Sequence, residues 1–268
     1  MKKTAIIIPC FNRLEFTKKC INSIFRYTRS PFELIVVDNG SSDGTNEWLK
    51  ENGPGLKLIS KSSNEGAPKA FNAGIKSANS DYVVLLNNDT IVTDGWLERL
   101  ISLAESSEDI ALVGPCSNQA GELPADINSV DEIKIQRDAA VLYLSRKKES
   151  IEVPGITSFC MLVKSCIFPK VGYFDENYGY GTNDDHDFCI RVRDAGYRIV
   201  CAMDTLVFHY YSRTLGKFDI KGLDRRNREY LVWKFKERGI KYLREVNQPY
   251  GSRGERSFEE IRKMKEFL

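Results

Sequence analysis

The sequence predicts an α/β protein whose central sheet is mainly parallel and covered by helices on both sides. Three observations carry this. Short runs that are apolar on both faces alternate with helical patterns through the first half; turn-forming clusters stop each run; and 42% hydrophobic with 28% charged residues in a chain of 268 suits one large domain, or one domain plus a small appendage.

Thr4–Ile8 is the first run, ended by Pro9, and Leu14–Tyr27 then sets Phe16, Cys20, Ile21, Ile24 and Phe25 on one helical face. Glu33–Val37 follows, stopped by Asp38-Asn39-Gly40-Ser41-Ser42-Asp43-Gly44, with a short helix around Trp48 and Leu49. Leu56–Ile59, helical Ala67–Ser77, Tyr82–Leu86, helical Trp96–Leu103 and Ile110–Val113 continue the series to Gly114-Pro115. From Cys116 to Ser150 the pattern weakens into polar loop and a charged helical stretch ending at Arg146-Lys147-Lys148. Apolar residues return at Thr157–Val163, Gly181–Asp187 introduces a helix that Gly196 stops, and Arg198–Ala202 and Thr205–Phe208 read as two short strands. Helices are expected at Arg225–Lys236 and Glu255–Phe267.

A formal net charge of +2 is too neutral for a chain whose main partner is a nucleic-acid backbone, so no nucleic acid is expected. The total hides an asymmetry: residues 1–209 carry 23 basic and 28 acidic side chains, residues 210–268 carry 16 and 9. The apolar start Ala5–Ile8 is too brief for a signal-peptide core, and no run reaches the roughly 18 apolar residues of a membrane span, so a cytoplasmic protein is expected. Seven cysteines, an odd number without a C-x-x-C pair, read as buried thiols in a reducing compartment.

Ligands of open parallel sheets collect outside the carboxyl ends of the strands. There the sequence places Pro9-Cys10-Phe11-Asn12-Arg13, Asp38-Asn39-Gly40-Ser41-Ser42-Asp43-Gly44 and Asn87-Asn88-Asp89, with neither a dinucleotide-binding glycine pattern nor a P-loop. A phosphate ligand would then need a cation, and Asp89 is a carboxylate able to hold one with help from a diphosphate; the plainer reading is a turn cap.

The ordered set Ile6-Ile7-Ile8-Pro9-Cys10-Phe11-Asn12-Arg13, Val36-Val37-Asp38-Asn39-Gly40-Ser41-Ser42-Asp43-Gly44-Thr45, Asn64-Glu65-Gly66, Leu85-Leu86-Asn87-Asn88-Asp89, and Gly172-Tyr173-Phe174-Asp175 through Asp184-Asp185-His186-Asp187 to Arg191 resembles the inverting family 2 glycosyltransferases of GT-A fold. The resemblance covers roughly residues 4–210. It implies a GT-A domain at 1–210, with a nucleotide-sugar-binding, Rossmann-like half at 1–115 and an acceptor and catalytic half at 116–210; the charge asymmetry and helical patterns beyond it read as a basic helical extension at 211–268. It implies metal-dependent transfer from a UDP-sugar, or a dTDP-sugar, to a hydroxyl on a glycan, lipid-linked glycan or protein, in surface-glycan biosynthesis.

The resemblance also assigns roles. Pro9, Asn12, Arg13, Asn64, Gly66, Lys69, Asn87 and Asn88 would line the nucleotide; Asp38 would accept from the N3–H of uracil or thymine, or else form an Asx turn. Asn87-Asn88-Asp89 stands in the place of a D-x-D motif whose first acid is an amide here, so Asp89 is the metal ligand proposed, with His209 completing a Mn2+ or Mg2+ site. Asp185 would be the general base and Asp184 its fallback, because adjacent acids raise at least one pKa toward neutrality. The plainer reading of the cluster is structural, since acids suit a helix's first turn; Asp187 in particular is expected to pair with Arg191 on the helix surface. His186 would orient a carboxylate or meet the acceptor.

Two rivals stand beside this reading. A nucleotidyltransferase would want a glycine-rich loop where Pro9–Arg13 has no glycine; a noncatalytic nucleotide- or carbohydrate-binding module would keep the fold without the chemistry. Arg213 and Lys217 are read as part of a loop closing over the donor phosphates. For 222–268 the plainer reading is solvated or packed helix faces, and the sharper one is peripheral contact with an anionic membrane at its inner face.

Overall fold

The computed structural model describes residues 2–53, 55–118, 129–210 and 220–246. In chain order they form β1 (Thr4–Cys10), α1 (Leu14–Tyr27), β2 (Phe32–Asp38), α2 (Thr45–Asn52), β3 (Leu56–Ser60), α3 (Ala67–Ser77), β4 (Tyr82–Leu86), β5 (Thr90–Val92), α4 (Trp96–Glu105), β6 (Ile110–Cys116), α5 (Glu132–Ser145), β7 (Ser150–Glu152), β8 (Cys160–Lys164), α6 (Phe168–Val171), α7 (Asp184–Asp194), β9 (Arg198–His209), α8 (Ile220–Phe235) and α9 (Glu237–Val246).

The apolar runs become buried strands, and successive side chains go to opposite faces as a pleat requires: Ala5 and Ile7 of β1 enter one core cluster, Ile6 and Ile8 the other. Helix α3 lies close against the first of these faces, because a Cβ at Gly74 would stand 2.3 Å from Ile7 Cγ2. The strand order is β3-β2-β1-β4-β8-β6-β9-β5, with β7 also on β9. Strands β1 to β4 pair in parallel, as read from the sequence. Beyond them the sheet is mixed: β8 inserts antiparallel between β4 and β6, while β6 and β9 run parallel. Every residue from Cys160 to Val163 is buried, so the pattern of apolar residues holds no sign of strand direction.

The two short strands expected near residues 200 and 207 are one, β9, carrying an irregularity. Pro115 faces Ala202 and the next residue, Cys116, faces Leu206, which leaves Met203-Asp204-Thr205 looped out of the β6 ladder. Its buried polar groups are satisfied locally: Asp204 Oδ2 accepts from Lys148 N at 2.8 Å, and Thr205 Oγ1 accepts from Arg99 Nε at 3.1 Å. Six of the seven free cysteines are buried and Cys166 is exposed.

Helix α8 begins five residues before its expected start, at Ile220, and α9 follows at once. Their apolar residues Leu231, Phe235 and Tyr242 belong to the core cluster that also contains Phe188 of α7 and Phe174. The change of charge near residue 210 therefore does not mark the end of the packed core: one face of α8 and α9 packs on it, while Trp233 and Ile240 on other faces are exposed. Residues 247–268, with the helix expected at Glu255–Phe267, and Arg213 and Lys217 lie outside the described residues. Among the described residues no helix is long and apolar enough to cross a membrane. Truncating the fully buried Leu231 to Ala should cost about 2–5 kcal/mol of unfolding free energy, read by urea denaturation; a neutral result would make α8 an appendage.

Candidate active site

The carboxyl ends of β1, β2 and β3 are level, Cys10 beside Asp38 and Asp38 beside Ser60. After β1 the chain turns left-handed at Asn12 (φ 56°) and Arg13 (φ 65°), without glycine. The neighbouring loop holds that turn. Ser41 Oγ accepts from Asn12 N at 2.8 Å, Asn12 Oδ1 accepts from Ser42 N at 2.8 Å, and Asp43 Oδ2 accepts from Leu14 N at 3.0 Å, serving as the cap that α1 lacks. Pro9 sits in β1 opposite Val37, and the Arg13 side chain is exposed.

Asp38 is 1% exposed. Its Oδ1 accepts from Ser41 N at 3.2 Å and Ser41 Oγ at 2.5 Å, and its Oδ2 from Asn46 Nδ2 at 2.7 Å. These bonds tie the carboxylate to the loop after β2 and to the first turn of α2. Asn64 Oδ1 accepts from Gly66 N at 2.9 Å, and Lys69, partly exposed, lies 3.8 Å from Glu65.

Asn87-Asn88-Asp89 divides into opposite directions. Asn88 is buried and donates to Thr17 Oγ1 at 2.9 Å, toward α1 and away from the rim. Asp89 Oδ1 and His209 Nε2 are 2.9 Å apart, and Asn87 Nδ2 is 3.4 Å from the same imidazole nitrogen. Both partners of the 2.9 Å contact are nearly buried. Asn118, absent from the sequence reading, fixes the histidine's backbone on both sides, accepting from His209 N at 2.8 Å and donating to His209 O at 3.2 Å. A carboxylate oxygen and an imidazole nitrogen aimed at one another fit a borderline-hard divalent cation. Among the described residues no group of three His, Cys, Asp or Glu gathers for a metal. Among the described residues, Asp89 and His209 are the pair of donors that meet there.

The acids at the start of α7 also separate. Asp184 is 3% exposed and its Oδ2 has no hydrogen-bond partner among the described residues. Burial, then the neighbouring Asp185 and Asp187, push its carboxyl well above the usual carboxylate range. Asp187 is not on the surface as expected: it is fully buried, 2.6 Å from Arg191 and 2.6 Å from Lys234 of α8, and accepts from Tyr178 at 3.2 Å. Asp185 is half-buried, with Oδ2 accepting from Ser158 N at 3.2 Å. His186 turns its ring to Tyr242 of α9, Nδ1 to the hydroxyl at 3.1 Å, instead of orienting a carboxylate.

Ser158 and Phe159 connect these two groups. While Ser158 N meets Asp185, the ring of Phe159 stacks on His209 at 5.2 Å and its carbonyl accepts from Asn87 N at 2.8 Å. On the other side the loop between Glu176 and Asn183 touches the nucleotide half. A Cβ at Gly66 (φ 90°) would stand 2.0 Å from Gly179 O, and Ala67 N donates to Tyr180 O at 3.4 Å.

This arrangement agrees with a family model. Residues 5–164 match the one described as glycosyl transferase family 2. The chain belongs to that family. Glycosyltransferase AglE of Haloferax volcanii is 28% identical over 211 residues, covering 76% of this chain and 66% of that protein. In fold, the chain is similar to GalNAc-T7, solved with UDP, GalNAc and Mn2+ (TM-score 0.64, 12% identity, 87% of this chain and 49% of that one). It is also similar to the mannosyltransferase PcManGT of Pyrobaculum calidifontis, solved with GDP-Man and Mn2+ (TM-score 0.59, 17% identity, 86% and 62%). The likeness to solved structures establishes the GT-A type fold, a mixed sheet with flanking helices. The chain spans 66% or less of the length of these three proteins, and the family match ends before α7, β9 and the C-terminal helices.

The raised Asp184 carboxyl has a stability consequence. Its folded pKa lies above the unfolded value near 3.8, so its contribution is fully present below that pH and is lost as pH rises toward the folded pKa. Asp184→Asn should remove that loss, giving a variant whose advantage over the wild type grows with pH above about 4 in denaturation curves. Parallel pH profiles would show that Asp184 does not hold its proton.

Proposed function

We propose that this family 2 chain transfers a sugar, with inversion, from a nucleoside diphosphate sugar, a UDP-sugar first and a dTDP-sugar next, to an acceptor hydroxyl. Asp89 and His209 would hold Mn2+ or Mg2+, which when bound supplies electrostatic stabilisation of the leaving diphosphate. The observation that carries the reading is the Ser158-Phe159 junction: one dipeptide contacts the carboxylate suited to the acceptor and the histidine suited to the cation. Inverting transfer needs those two functions in one cleft, on opposite sides of the anomeric carbon.

Between the two candidate bases, access decides. A base must come within about 2.6–3.2 Å of the hydroxyl it deprotonates. Asp184 is buried and keeps its raised proton affinity out of reach, whereas Asp185 is half-buried and held by Ser158. Asp185 is therefore the base. Arg13 is an exposed cation on the strand-end rim, and Lys69, on the first turn of α3, offers a second; both suit the donor's phosphates. Asn12 and Asp38 serve the nucleotide through the turns they fix, and Asn64 and Gly66 through the entry to α3.

UDP with Mn2+ should stabilise the protein by about 2.7 kcal/mol at a hundredfold excess over Kd, and Asp89→Asn or His209→Ala should erase the Mn2+-dependent part of the thermal shift. The same shift in both variants would remove the pair as the metal site. Asp185→Asn should lower donor turnover about 100- to 10,000-fold while leaving the nucleotide-induced shift in place. Retained turnover would eliminate Asp185 as base.

A further inference from the structure

We infer that Asn227 and Asp224 of α8 are positioning residues of the transfer reaction, holding the left-handed turn that aims Asp185; this rests on Asp185 being the base.

The turn Gly181 (φ 121°), Thr182 (φ 67°), Asn183 (φ 62°) leads directly into α7. A glycine tolerates such a conformation, but a β-branched threonine is a backbone outlier there, and such outliers persist only where the surroundings over-determine them. The turn does not supply this itself, since the Asn183 side chain makes no capping bond to its own helix. Helix α8 does. Asn227 is fully buried, and its amide N–H groups are shared among Tyr178 O (3.0 Å), Gly181 O (2.6 Å), Thr182 O (3.0 Å) and Thr182 Oγ1 (3.1 Å). Three residues earlier on the same face, Asp224 Oδ1 accepts from Asn183 Nδ2 at 2.8 Å. Asparagine is a poor residue for a helix interior, so the formation of α8 does not account for it; a turn full of outward carbonyls does.

Asp185 follows this turn by two residues, and its carboxylate is met by Ser158 N. Its place is thus set from two directions, by the chain before β8 and by α8, neither of which has to touch a substrate. If the turn relaxed toward ordinary dihedrals, the first turn of α7 would rotate and carry Asp185 away from the acceptor.

Asn227→Ala leaves buried carbonyls without a donor and can unfold the chain, so the working probe is Asp224, whose side chain is 37% exposed. Asp224→Ala should lower kcat for donor turnover on the order of 100-fold at an unchanged donor KM, the scale of a displaced catalytic group. Hydrogen exchange at 182–185 should rise. Asp224→Asn, whose amide oxygen still accepts from Asn183, should recover most of both. Adding Asp224→Ala to Asp185→Asn should lower kcat no further than Asp185→Asn alone, because the one acts through the other. Full kcat in Asp224→Ala, a loss confined to KM, or a further multiplicative loss in the double variant would overturn the proposal. Full turnover in Asp185→Asn is a separate result, ending the assignment of the base with its positioning.

Discussion

The contact between Asp89 and His209 spans 120 residues of sequence, and the far half of the sheet exists in the form that closes it. Strand β5 pairs with β9 so that Thr90 stands opposite His209, which brings the preceding Asp89 alongside the imidazole. Register in a sheet is unforgiving, since a slip of one residue sends every side chain to the other face. The Met203–Thr205 irregularity sets that parity. Before it, Ile199 and Cys201 enter one core cluster; after it, Leu206 and Phe208 do, while Val207 joins the cluster that held Val200 and Ala202. Three looped-out residues, an odd number, exchange the faces of β9 and fix the side on which His209 emerges.

Asp185, the proposed base, depends on a different support. The loop before α7 is wedged between Gly66, which approaches Gly179 too closely for any Cβ, and α8, which donates into its carbonyls. Each non-glycine residue held left-handed costs on the order of 1–3 kcal/mol, so the wedge must be firm to maintain Thr182 and Asn183 together. The C-terminal helices supply that firmness. They add Leu231, Phe235 and Tyr242 to the core and Lys234 to the buried Asp187, which makes them part of the unit that carries α7.

The legible parts of the sequence were those where one residue pattern has one structural outcome. The runs in β1, β2 and β4 are buried on both faces and separated by helices, a pattern specific to a parallel α/β sheet. Strand β8 carries the same kind of pattern but runs antiparallel, since burial is symmetric in strand direction. In β9 the break in alternation at Met203–Thr205 looks like a gap between two strands when partners are not visible. Side-chain direction was the weakest signal. Asn87, Asn88 and Asp89 form one motif on paper, yet Asn88 points at Thr17, and Asp38 spends its carboxylate on Ser41 and Asn46. Asn118 and Asn227 belong to no motif; only the carbonyls and N–H groups they meet identify them. The charge change near residue 210 reflects surface composition, which is blind to what the other faces of α8 and α9 bury.

The three acids opening α7 illustrate how the fold distributes roles among residues that sequence treats alike. Asp187 is neutralised by Arg191 and Lys234 at 2.6 Å each. Asp184 is driven by burial toward its protonated form, which removes a like charge beside the next residue. Asp185 alone is both reachable and uncommitted to a cation. An isolated carboxylate among three would have been easier to encode with apolar neighbours. However, an apolar residue at 187 would leave Lys234 with Asp175 alone. The flanking acids thus play different parts, Asp187 fastening α7 to α8 through Lys234 and Asp184 standing as a buried carboxyl of raised proton affinity, with Asp185, the proposed base, between them.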